Sequence, residues 1–430
     1  MSDSHLQLAY FADDFTGATD VLESLARAGL KVRLFLEPPT LEQCRGLDAI
    51  GVAGLTRSLA PDAMDAVLRP ALTALRDLGP RHVHYKVCST FDSSPTVGSI
   101  GRAIEVGAAV FGGRPVPVLV AAPALGRYCA FGHLYAGFGI GSAGAIYRLD
   151  RHPAISRHPV TPMTEADLRV HLGKQTGQRI GLLDVTALDA APAATTAALQ
   201  AQLATGAQIV LIDGLNDAHL LRAGTLIDGL ANEGPLFSVG SSGIESALTA
   251  HWAGKASPRE ESRAPKLPPR TAPLLVVSGS CSTVTAGQID WALAHGFTGI
   301  RFDPQSPDQP AILQAALNAL KTGTHVVIYT SRGQADSVVT AETLGTQLGA
   351  LTRHILAEAK VQGLVIAGGD TSSYVARALG ITSLEILAPL APGAPWCRAQ
   401  APGAAVDQLP VNFKGGQVGA ENYFATAARS

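Results

Sequence analysis

The sequence is poor in cysteine and in charge, and each shortage excludes a class of protein. Five cysteines are spread through 430 residues, and no two of them form a C-x-x-C pair. An odd, widely spaced set does not build a disulfide framework, so we expect a reducing, cytoplasmic setting. Charged residues make up 16% and the formal net charge is −2. That balance gives no basic field for nucleic acid or for an anionic membrane, and neither partner is expected.

Long apolar runs and targeting signals are missing as well. No uncharged apolar run approaches roughly 18 residues, the length that a transmembrane helix needs. Residues 1–7 are polar and lack a basic region followed by an apolar core, so no signal peptide is expected. Hydrophobic residues nevertheless make up 47% of the chain. They are sufficient for sizeable buried cores in the two or three domains that the length suggests.

One segment divides the chain. Residues 254–273, rich in proline and charge and without periodicity, are predicted to form a linker. They separate an N-terminal domain, residues 1–253, from a C-terminal domain, residues 274–430. In both, short apolar segments alternate with helical stretches, which predicts an α/β fold with a mostly parallel sheet flanked by helices in each domain. Ligands of such sheets bind beyond the carboxyl ends of the strands, and we expect the active site in a cleft between the domains.

Apolar periodicity and the positions of glycine and proline predict individual elements. The first strand is expected over residues 6–12 and the first helix from about Thr19, with Gly29 as its C-terminal cap. A single helix is expected over residues 187–203. In the C-terminal domain we expect strands over 274–277, 326–329 and 364–367, and helices over 285–295 and 373–379.

Two adjacent carboxylates end the first predicted strand, in the run Asp13-Asp14-Phe15-Thr16-Gly17. A carboxylate at a strand end can act as a general base, anchor a hydroxyl or bind a metal ion. The structural alternative is a helix N-cap, which Asp also forms well. We favour function for the pair, with Asp14 or Asp13 orienting or deprotonating a substrate hydroxyl.

A second polar run, Lys86 to Ser94, follows another predicted strand. Lys86 leaves an otherwise apolar strand, and Ser89, Thr90 and Asp92 come shortly after it. The set suits a polyhydroxylated acid, with Lys86 for the carboxylate and Asp92 for hydroxyls or as a reserve base. A polar turn is the alternative. Arg57, beyond the strand predicted over 49–54, either meets a carboxylate or is a solvated loop residue.

Two glycine- and serine-rich runs follow strands of the C-terminal domain. They are Ser278 to Thr283 and Gly368 to Ser373. Glycine lets backbone amides approach phosphate, and a following helix N-terminus favours anions. No Walker A, no G-x-G-x-x-G and no protein-kinase motif set is present. The residues alone therefore indicate a two-domain α/β phosphate-handling enzyme, without a metal-binding cluster of side chains.

In combination, these motifs resemble the four-carbon acid sugar kinase family over essentially the whole chain. The resemblance begins with A-D-D-F-T-G-A-T-D at 12–20 and continues with S-G-S-C-S at 278–282 and G-G-D-T-S at 368–372. It ends with P-G-x-P-W at 392–396 and the Lys-Gly-rich segment 414–419. It implies a kinase with a sugar-acid-binding N-terminal domain and a C-terminal domain that binds ATP with Mg²⁺.

The resemblance also implies roles for individual residues. The implied nucleotide contacts are Ser278, Ser280, Gly368, Gly369, Asp370, Thr371 and Gly416. The implied substrate side comprises Asp13, Asp14, Thr16, Gly17, Arg57, Lys86, Ser89, Thr90, Asp92 and His158.

Two segments indicate which branch of the family, and so which substrate, the chain resembles. The run C-S-T-F-D-S at 88–93 and the run H-P-V-T-P-M-T at 158–164 are similar to the 3-oxo-tetronate kinase branch. The segments 94–98 and 414–419 differ from the usual sequence of that branch. A branched acid such as 3-oxo-isoapionate therefore remains a candidate substrate, as do threonate and erythronate. A non-catalytic ligand sensor and a nicotinamide-dependent dehydrogenase are the alternatives from other classes, and the missing G-x-G-x-x-G counts against the dehydrogenase. A homo-oligomer is left open.

Overall fold

The structure, a computed structural model, describes residues 6–138, 144–158, 160–254, 272–306, 308–332 and 339–430, and it does not describe the side chain of Asp370. Most of the predicted linker, residues 255–271, lies outside the described residues. The chain forms two units. Among the described residues, unit 1 holds 6–13, 24–32 and 37–254, and unit 2 holds 14–23, 33–36 and 272–430.

Strands and helices alternate in the first part of the chain. In chain order they are β1 Leu8–Ala12, α1 Phe15–Arg27, β2 Val32–Phe35, β3 Ala49–Ala53, α2 Pro61–Asp77, β4 His82–Lys86, α3 Ile100–Val110, β5 Val116–Leu119, β6 Arg127–Ala130, β7 His133–Gly137, β8 Ile146–Arg148, α4 Leu168–Gly173, β9 Ile180–Leu183, α5 Val185–Asp189, α6 Pro192–Ala204, β10 Ile209–Ile212, α7 Asp217–Leu230, β11 Leu236–Gly240 and α8 Gly243–Ala253.

The main sheet of unit 1 is parallel, in the order β3-β1-β4-β11-β5-β10-β9. Its central strands are buried along their whole length, because helices cover a parallel sheet on both faces. The chain adds β3 on one side of β1 and then crosses to β4 on the other. That reversal of strand order places the carboxyl ends of β1 and β4 at a switch point, where ligands of such sheets bind. A small antiparallel sheet, β6-β7-β8, also belongs to unit 1.

Strands and helices also alternate in the second part of the chain as far as residue 378, after which three strands follow one another. Its elements are β12 Leu274–Ser278, α9 Thr283–Ala294, β13 Thr298–Arg301, α10 Gln309–Lys321, β14 Val326–Tyr329, α11 Ala341–Glu358, β15 Gly363–Ala367, α12 Gly369–Ala378, β16 Ser383–Ala391, β17 Ala394–Gln400, β18 Pro410–Lys414 and α13 Tyr423–Arg429.

In unit 2 the parallel order is β13-β14-β12-β15-β18, after which β17 and β16 join antiparallel. Leu34 and Phe35 of β2 pair with β16 at the end of this set. From β12 the chain passes to β13 at the edge and returns to β14 between them, and it then crosses to β15 and β18 on the other side of β12. The switch point of unit 2 therefore lies between β12 and β15. Helix α13 packs on α9, while α10, α11 and α12 form a second packed group.

The α/β prediction, with mostly parallel sheets flanked by helices, is confirmed, and the differences are local. Helix α1 begins at Phe15 rather than near Thr19, because the Asp14 carboxylate caps its first turn. The helix expected over 187–203 is broken into α5 and α6, since Ala191 before Pro192 is extended. Strand β18 and its antiparallel neighbours were not predicted. In the described part of the chain, no helix is both long and apolar enough to cross a membrane.

Candidate active site

Three loops meet at the carboxyl ends of β12, β15 and β18 in unit 2. They carry residues 279–282, residues 368–371 and residues 415–419, and glycine is required where they touch. A Cβ on Gly279 would lie 2.5 Å from Thr371 Oγ1, and one on Gly416 would lie 2.9 Å from Ser280 Oγ. Gly368 has φ +131°, which side-chain-bearing residues rarely adopt. The predicted nucleotide residues of the three loops are thus brought together.

Serine hydroxyls order the first of these loops. Ser280 N donates to Ser278 Oγ at 3.4 Å, and Ser282 N donates to Ser280 Oγ at 3.2 Å. Ser282 Oγ then caps α9 by accepting from Val284 N at 3.2 Å. Helix α12 starts next to this loop at Gly369, without a side-chain cap. Two helix N-termini at one switch point favour a bound anion.

Side chains of α9 form hydrogen bonds with the third loop. Gln288 Nε2 lies 3.0 Å from the carbonyl oxygens of Val418, Gly419 and Ala420. Thr285 Oγ1 donates to Gly416 O at 2.8 Å and accepts from Lys414 Nζ at 2.9 Å. Lys414 is completely buried, and burial lowers its pKa to about 7.

Asp14, Thr16 and Gly17 lie at the start of α1, in unit 2. Asp14 Oδ1 accepts from Gly17 N at 2.7 Å, and Oδ2 accepts from Thr16 Oγ1 at 2.8 Å. A Cβ on Gly415 would come within 3.9 Å of Thr16 Oγ1, so the helix start borders the third glycine loop. The capping alternative is therefore realised in the structure. It is compatible with a catalytic role, because a carboxylate offers about four acceptor positions.

Asp13 and Arg57 form a bidentate ion pair in unit 1. Arg57 Nε donates to Asp13 Oδ2 at 3.0 Å and Nη2 donates to Oδ1 at 2.8 Å. The backbone repeats the link, since Arg57 N donates to Asp13 O at 3.1 Å. The Asp13 carboxylate is 4% exposed and the Arg57 side chain 26%. Asp13 thus fixes the guanidinium while part of Arg57 stays accessible.

Lys86 and the loop after it lie beside this pair, at the switch point of unit 1. Asp13 N donates to Lys86 O at 2.9 Å, and Lys86 Nζ donates to Val87 O at 3.1 Å. The loop turns through Phe91, which has φ +58°, an uncommon conformation for a residue other than glycine. Residues Ser89 and Asp92 are half-buried, and Thr90 is buried.

A buried polar group supports the strained turn at Phe91. Ser93 Oγ donates to Phe91 O at 3.0 Å and lies 2.8 Å from His171 Nε2. Gln175 Nε2 donates to Ser93 Oγ at 3.0 Å. Burial, followed by the Lys174 charge, lowers the pKa of His171 to about 4, so the ring is neutral at pH 7. Strain that neighbouring groups maintain in this way is typical of ligand-binding loops.

Cys88 is a packing residue in this loop. Burial, with the Asp92 charge second, raises the pKa of its thiol to about 11. A thiol that stays protonated at neutral pH is a poor nucleophile. Arg127, buried at the start of β6, was not predicted. Burial lowers the pKa of its guanidinium, the Asp92 charge acts in the opposite direction, and its Nε has no hydrogen-bond partner among the described residues.

His158 is not linked to these groups by a hydrogen bond in the described ranges. Its Nδ1 accepts from Thr161 N at 3.1 Å and lies 3.1 Å from Thr161 Oγ1, which are local contacts. No group of three or more His, Cys, Asp or Glu side chains with metal-binding geometry occurs among the residues that the structure describes.

Sequence reasoning missed Lys414 and Arg127 as site residues. The sequence contains one feature that could have identified Lys414: this lysine ends the apolar strand β18 and is followed directly by Gly415 and Gly416. No sequence feature identifies Arg127, because its burial depends on the small antiparallel sheet.

The chain matches two family models and several characterised relatives over its length. A model described as a sugar-binding N-terminal domain matches residues 8–248, and one described as a nucleotide-binding C-terminal domain matches residues 275–424. The chain is 41% identical to a 3-oxo-isoapionate kinase of Paraburkholderia graminis, over 97% of this chain and 93% of the relative.

Two further comparisons extend the similarity. A 3-oxo-tetronate kinase of Pseudomonas savastanoi pv. phaseolicola is 30% identical, over 98% of this chain and 96% of the relative. A crystal structure of a Salmonella typhimurium LT2 protein superposes with a TM-score of 0.79 at 27% identity, covering 98% of each chain.

Proposed function

Because the chain belongs to the four-carbon acid sugar kinase family, we propose that it transfers a phosphoryl group from ATP to a hydroxyl of a short 3-oxo sugar acid. The observation that carries the proposal is the meeting of three glycine loops and two helix N-termini at the switch point of unit 2. That arrangement falls within the part of the chain that matches a nucleotide-binding domain.

The substrate is a 3-oxo acid of the tetronate or isoapionate type. The runs at 88–93 and 158–164 favour a 3-oxo-tetronate, and several relatives near 30% identity carry that activity in their names. The relative at 41% identity is named for 3-oxo-isoapionate, and that acid therefore belongs in any first screen. In both, a carboxylate and neighbouring oxygens provide the groups that the protein must recognise.

On the nucleotide side, the backbone of residues 279–282 and 368–371 and the loop at Gly416 bind the phosphates of ATP. The N-termini of α9 and α12 add their partial positive charge. Mg²⁺ would be held mainly by the phosphates and by water, as is usual for protein-bound Mg²⁺, and would neutralise charge on the nucleotide. Such binding does not need a cage of side chains, and the described residues hold none.

On the substrate side, Arg57 and Lys86 bind the carboxylate, with Arg57 held in place by Asp13. Ser89, Thr90 and Asp92 bind the remaining oxygens. Asp14 orients the reacting hydroxyl of the substrate. The hydroxyl oxygen attacks the γ-phosphorus of ATP, and the bond between that phosphorus and the β-phosphate oxygen breaks, which releases ADP. The hydroxyl proton passes to the Asp14 carboxylate and on to water. In phosphoryl transfer such positioning supplies most of the protein's contribution to catalysis.

Residues 254–273 link the two domains in this proposal. The dispersed cysteines favour a reducing, cytoplasmic setting.

Catalysis is favoured over ligand sensing because the curated relatives are named as kinases. An assay of ATP consumption over a panel of acids tests the proposal. The panel contains 3-oxo-tetronate, 3-oxo-isoapionate, threonate and erythronate, and phosphorylated product is identified by mass spectrometry. We expect a 3-oxo acid to be turned over with much the highest kcat/KM. ADP binding without turnover of any acid would support a ligand sensor instead.

A further inference from the structure

Lys414 is a buried lysine with no counter-charge among the described residues. Its side chain has no exposed surface, and its Nζ donates to Thr285 Oγ1 at 2.9 Å. The ammonium also lies 5.6 Å from the centre of the Tyr423 ring. No carboxylate forms an ion pair with it in the part of the chain that the structure describes. Burial therefore lowers the pKa of Lys414 to about 7, because removing a charge from water is unfavourable.

The surroundings of Lys414 make a positive charge still less favourable. Thr285 lies in the first turn of α9, whose unpaired amides form the positive end of the helix dipole. A lysine near such an end gains nothing from the helix. A bound anion would interact favourably with both groups, and the glycine loops next to them are where the proposed function places phosphates.

Lys414 is also connected to two of the glycine loops. Its ammonium contacts Thr285, and the Thr285 hydroxyl donates to Gly416 O at 2.8 Å. Its own carbonyl accepts from Gly368 N at 3.0 Å. One residue thus joins the loop after β18 to the loop after β15, through its side chain and its backbone respectively.

We infer that Lys414 compensates the charge of the nucleotide's phosphates from behind the glycine loops, and that it takes up a proton when the nucleotide binds. It acts through Thr285 and Gly416 and is a positioning residue. The proton comes from solvent and is held on Nζ while the phosphates are present. The inference rests on the proposed function only for the assignment of a nucleotide to these loops.

Among the described residues, the titratable groups around Lys414 include two that burial keeps protonated. Tyr423 of α13 stays protonated because burial raises the pKa of its phenol. Cys397 of β17 stays protonated for the same reason. Helix α1 contributes Glu23, whose charge acts on Tyr423 and Cys397, and is preceded by Asp14, which caps it. Strand β15 contributes none, since its sequence is GLVIA.

Calorimetric titration of the full-length protein with MgADP at pH 8 tests the inference. Repeating the titration in buffers with different ionisation enthalpies gives the number of protons bound per nucleotide. The terminal phosphate of ADP is fully ionised at pH 8 and contributes little. A group with a pKa of about 7 is then about nine-tenths unprotonated, so uptake of more than about half a proton is expected. At pH 6 the lysine already carries its proton, and uptake should fall close to zero.

The variant Lys414→Met tests whether Lys414 is the group that takes up the proton, because methionine fills a similar volume without a charge. We expect the variant to lose the proton uptake at pH 8 and to bind MgADP at least tenfold more weakly at pH 6, where the wild-type lysine is charged. Lys321→Met, at an exposed lysine that ends α10 of the same unit, is the matched control and should change neither quantity.

Wild-type protein that binds MgADP at pH 8 without taking up a proton would overturn the inference, whether or not the variant folds. Full proton uptake in Lys414→Met would overturn it as well, since another group would then be responsible. Absence of any MgADP binding would overturn the nucleotide assignment itself, and with it the proposed function. Failure of this inference alone would leave nucleotide binding and turnover intact.

Discussion

The ring of Phe15 packs against the ring of Phe413, with their centres 4.4 Å apart. Both rings are fully buried in unit 2. Phe15 begins α1 directly after Asp14, and Phe413 directly precedes Lys414 on β18. A single aromatic contact therefore fixes the two chain segments that carry the proposed hydroxyl-orienting carboxylate and the buried lysine. Such a pair contributes packing energy beyond its buried area, which stabilises the observed spacing of these segments.

Gly369 offers a test of the nucleotide loops that leaves the fold intact. A Cβ at this position would meet no atom within 4 Å, so Gly369→Val is sterically tolerated in the protein without ligand. The same side chain would occupy space next to the backbone amides that begin α12. We expect MgADP affinity to fall at least tenfold while the melting temperature changes by only a few degrees. Calorimetric titration and thermal unfolding measure the two effects.

Gly287→Val is the matched control. Gly287 lies in α9 of the same unit, and a Cβ there also meets nothing within 4 Å. Its substitution should leave MgADP affinity unchanged. Equal affinity in Gly369→Val and Gly287→Val would remove the start of α12 from the nucleotide site.

Much of the site could be predicted from sequence because strand ends are marked locally. The apolar runs of β1, β4, β12 and β15 predict buried parallel strands, and the polar or glycine-rich residues after them mark the edge where ligands bind. The pairing of Asp13 with Arg57 could not be predicted, since it depends on β1 and β3 being neighbours in the sheet.

The burial of Lys414 depends in the same way on tertiary packing. The Lys414 side chain contacts Thr285 of α9 and lies over the Tyr423 ring of α13, and neither helix can be placed there by local patterns. The break before α6 is different, because Pro192 marks it in the sequence and the residue before a proline disfavours the helical conformation. The prediction of one continuous helix gave the apolar periodicity too much weight.

Arg57 is expected to govern affinity for the acid rather than for the nucleotide. Arg57→Gln removes the charge that Asp13 holds in place, and a lost hydrogen bond to a charged group costs about 1.5–3 kcal/mol. KM for the acid should therefore rise by roughly 10- to 150-fold, with MgADP affinity unchanged. Arg69→Gln is the control, because Arg69 forms the same bidentate geometry with Asp65 on the exposed face of α2. Similar KM values for the two variants would rule out Arg57 as a carboxylate ligand.

Lys414 should also give the protein a characteristic pH dependence of stability. Its folded-state pKa of about 7 lies below the value of an unfolded lysine, so the unfolded chain binds more protons between these two values. The contribution of Lys414 to the free energy of unfolding therefore becomes more favourable as pH rises from about 7 to 10, by up to roughly 1.4 kcal/mol per pH unit.

Lys414→Met removes that titration, and urea unfolding at several pH values measures the difference. The variant should be more stable than the wild type near pH 7, and its advantage should shrink as the pH approaches 10. A difference between the two proteins that stays constant over this range would contradict the depressed pKa.

The acidic pair gives the last prediction, because its two members hold different partners. Asp14→Asn keeps an acceptor for Gly17 N, and asparagine caps a helix about as well as aspartate, so stability should change little. If the carboxylate orients the reacting hydroxyl, kcat should fall by roughly 10²- to 10⁴-fold, the usual contribution of a positioned acid or base. Asp13→Asn instead weakens a bidentate ion pair with Arg57 and should raise KM for the acid more than it lowers kcat. Steady-state kinetics with the best acid of the panel, together with a melting temperature for each variant, separate these outcomes. Near-normal kcat in a folded Asp14→Asn protein would limit Asp14 to its capping role and move the hydroxyl-orienting group to Asp92.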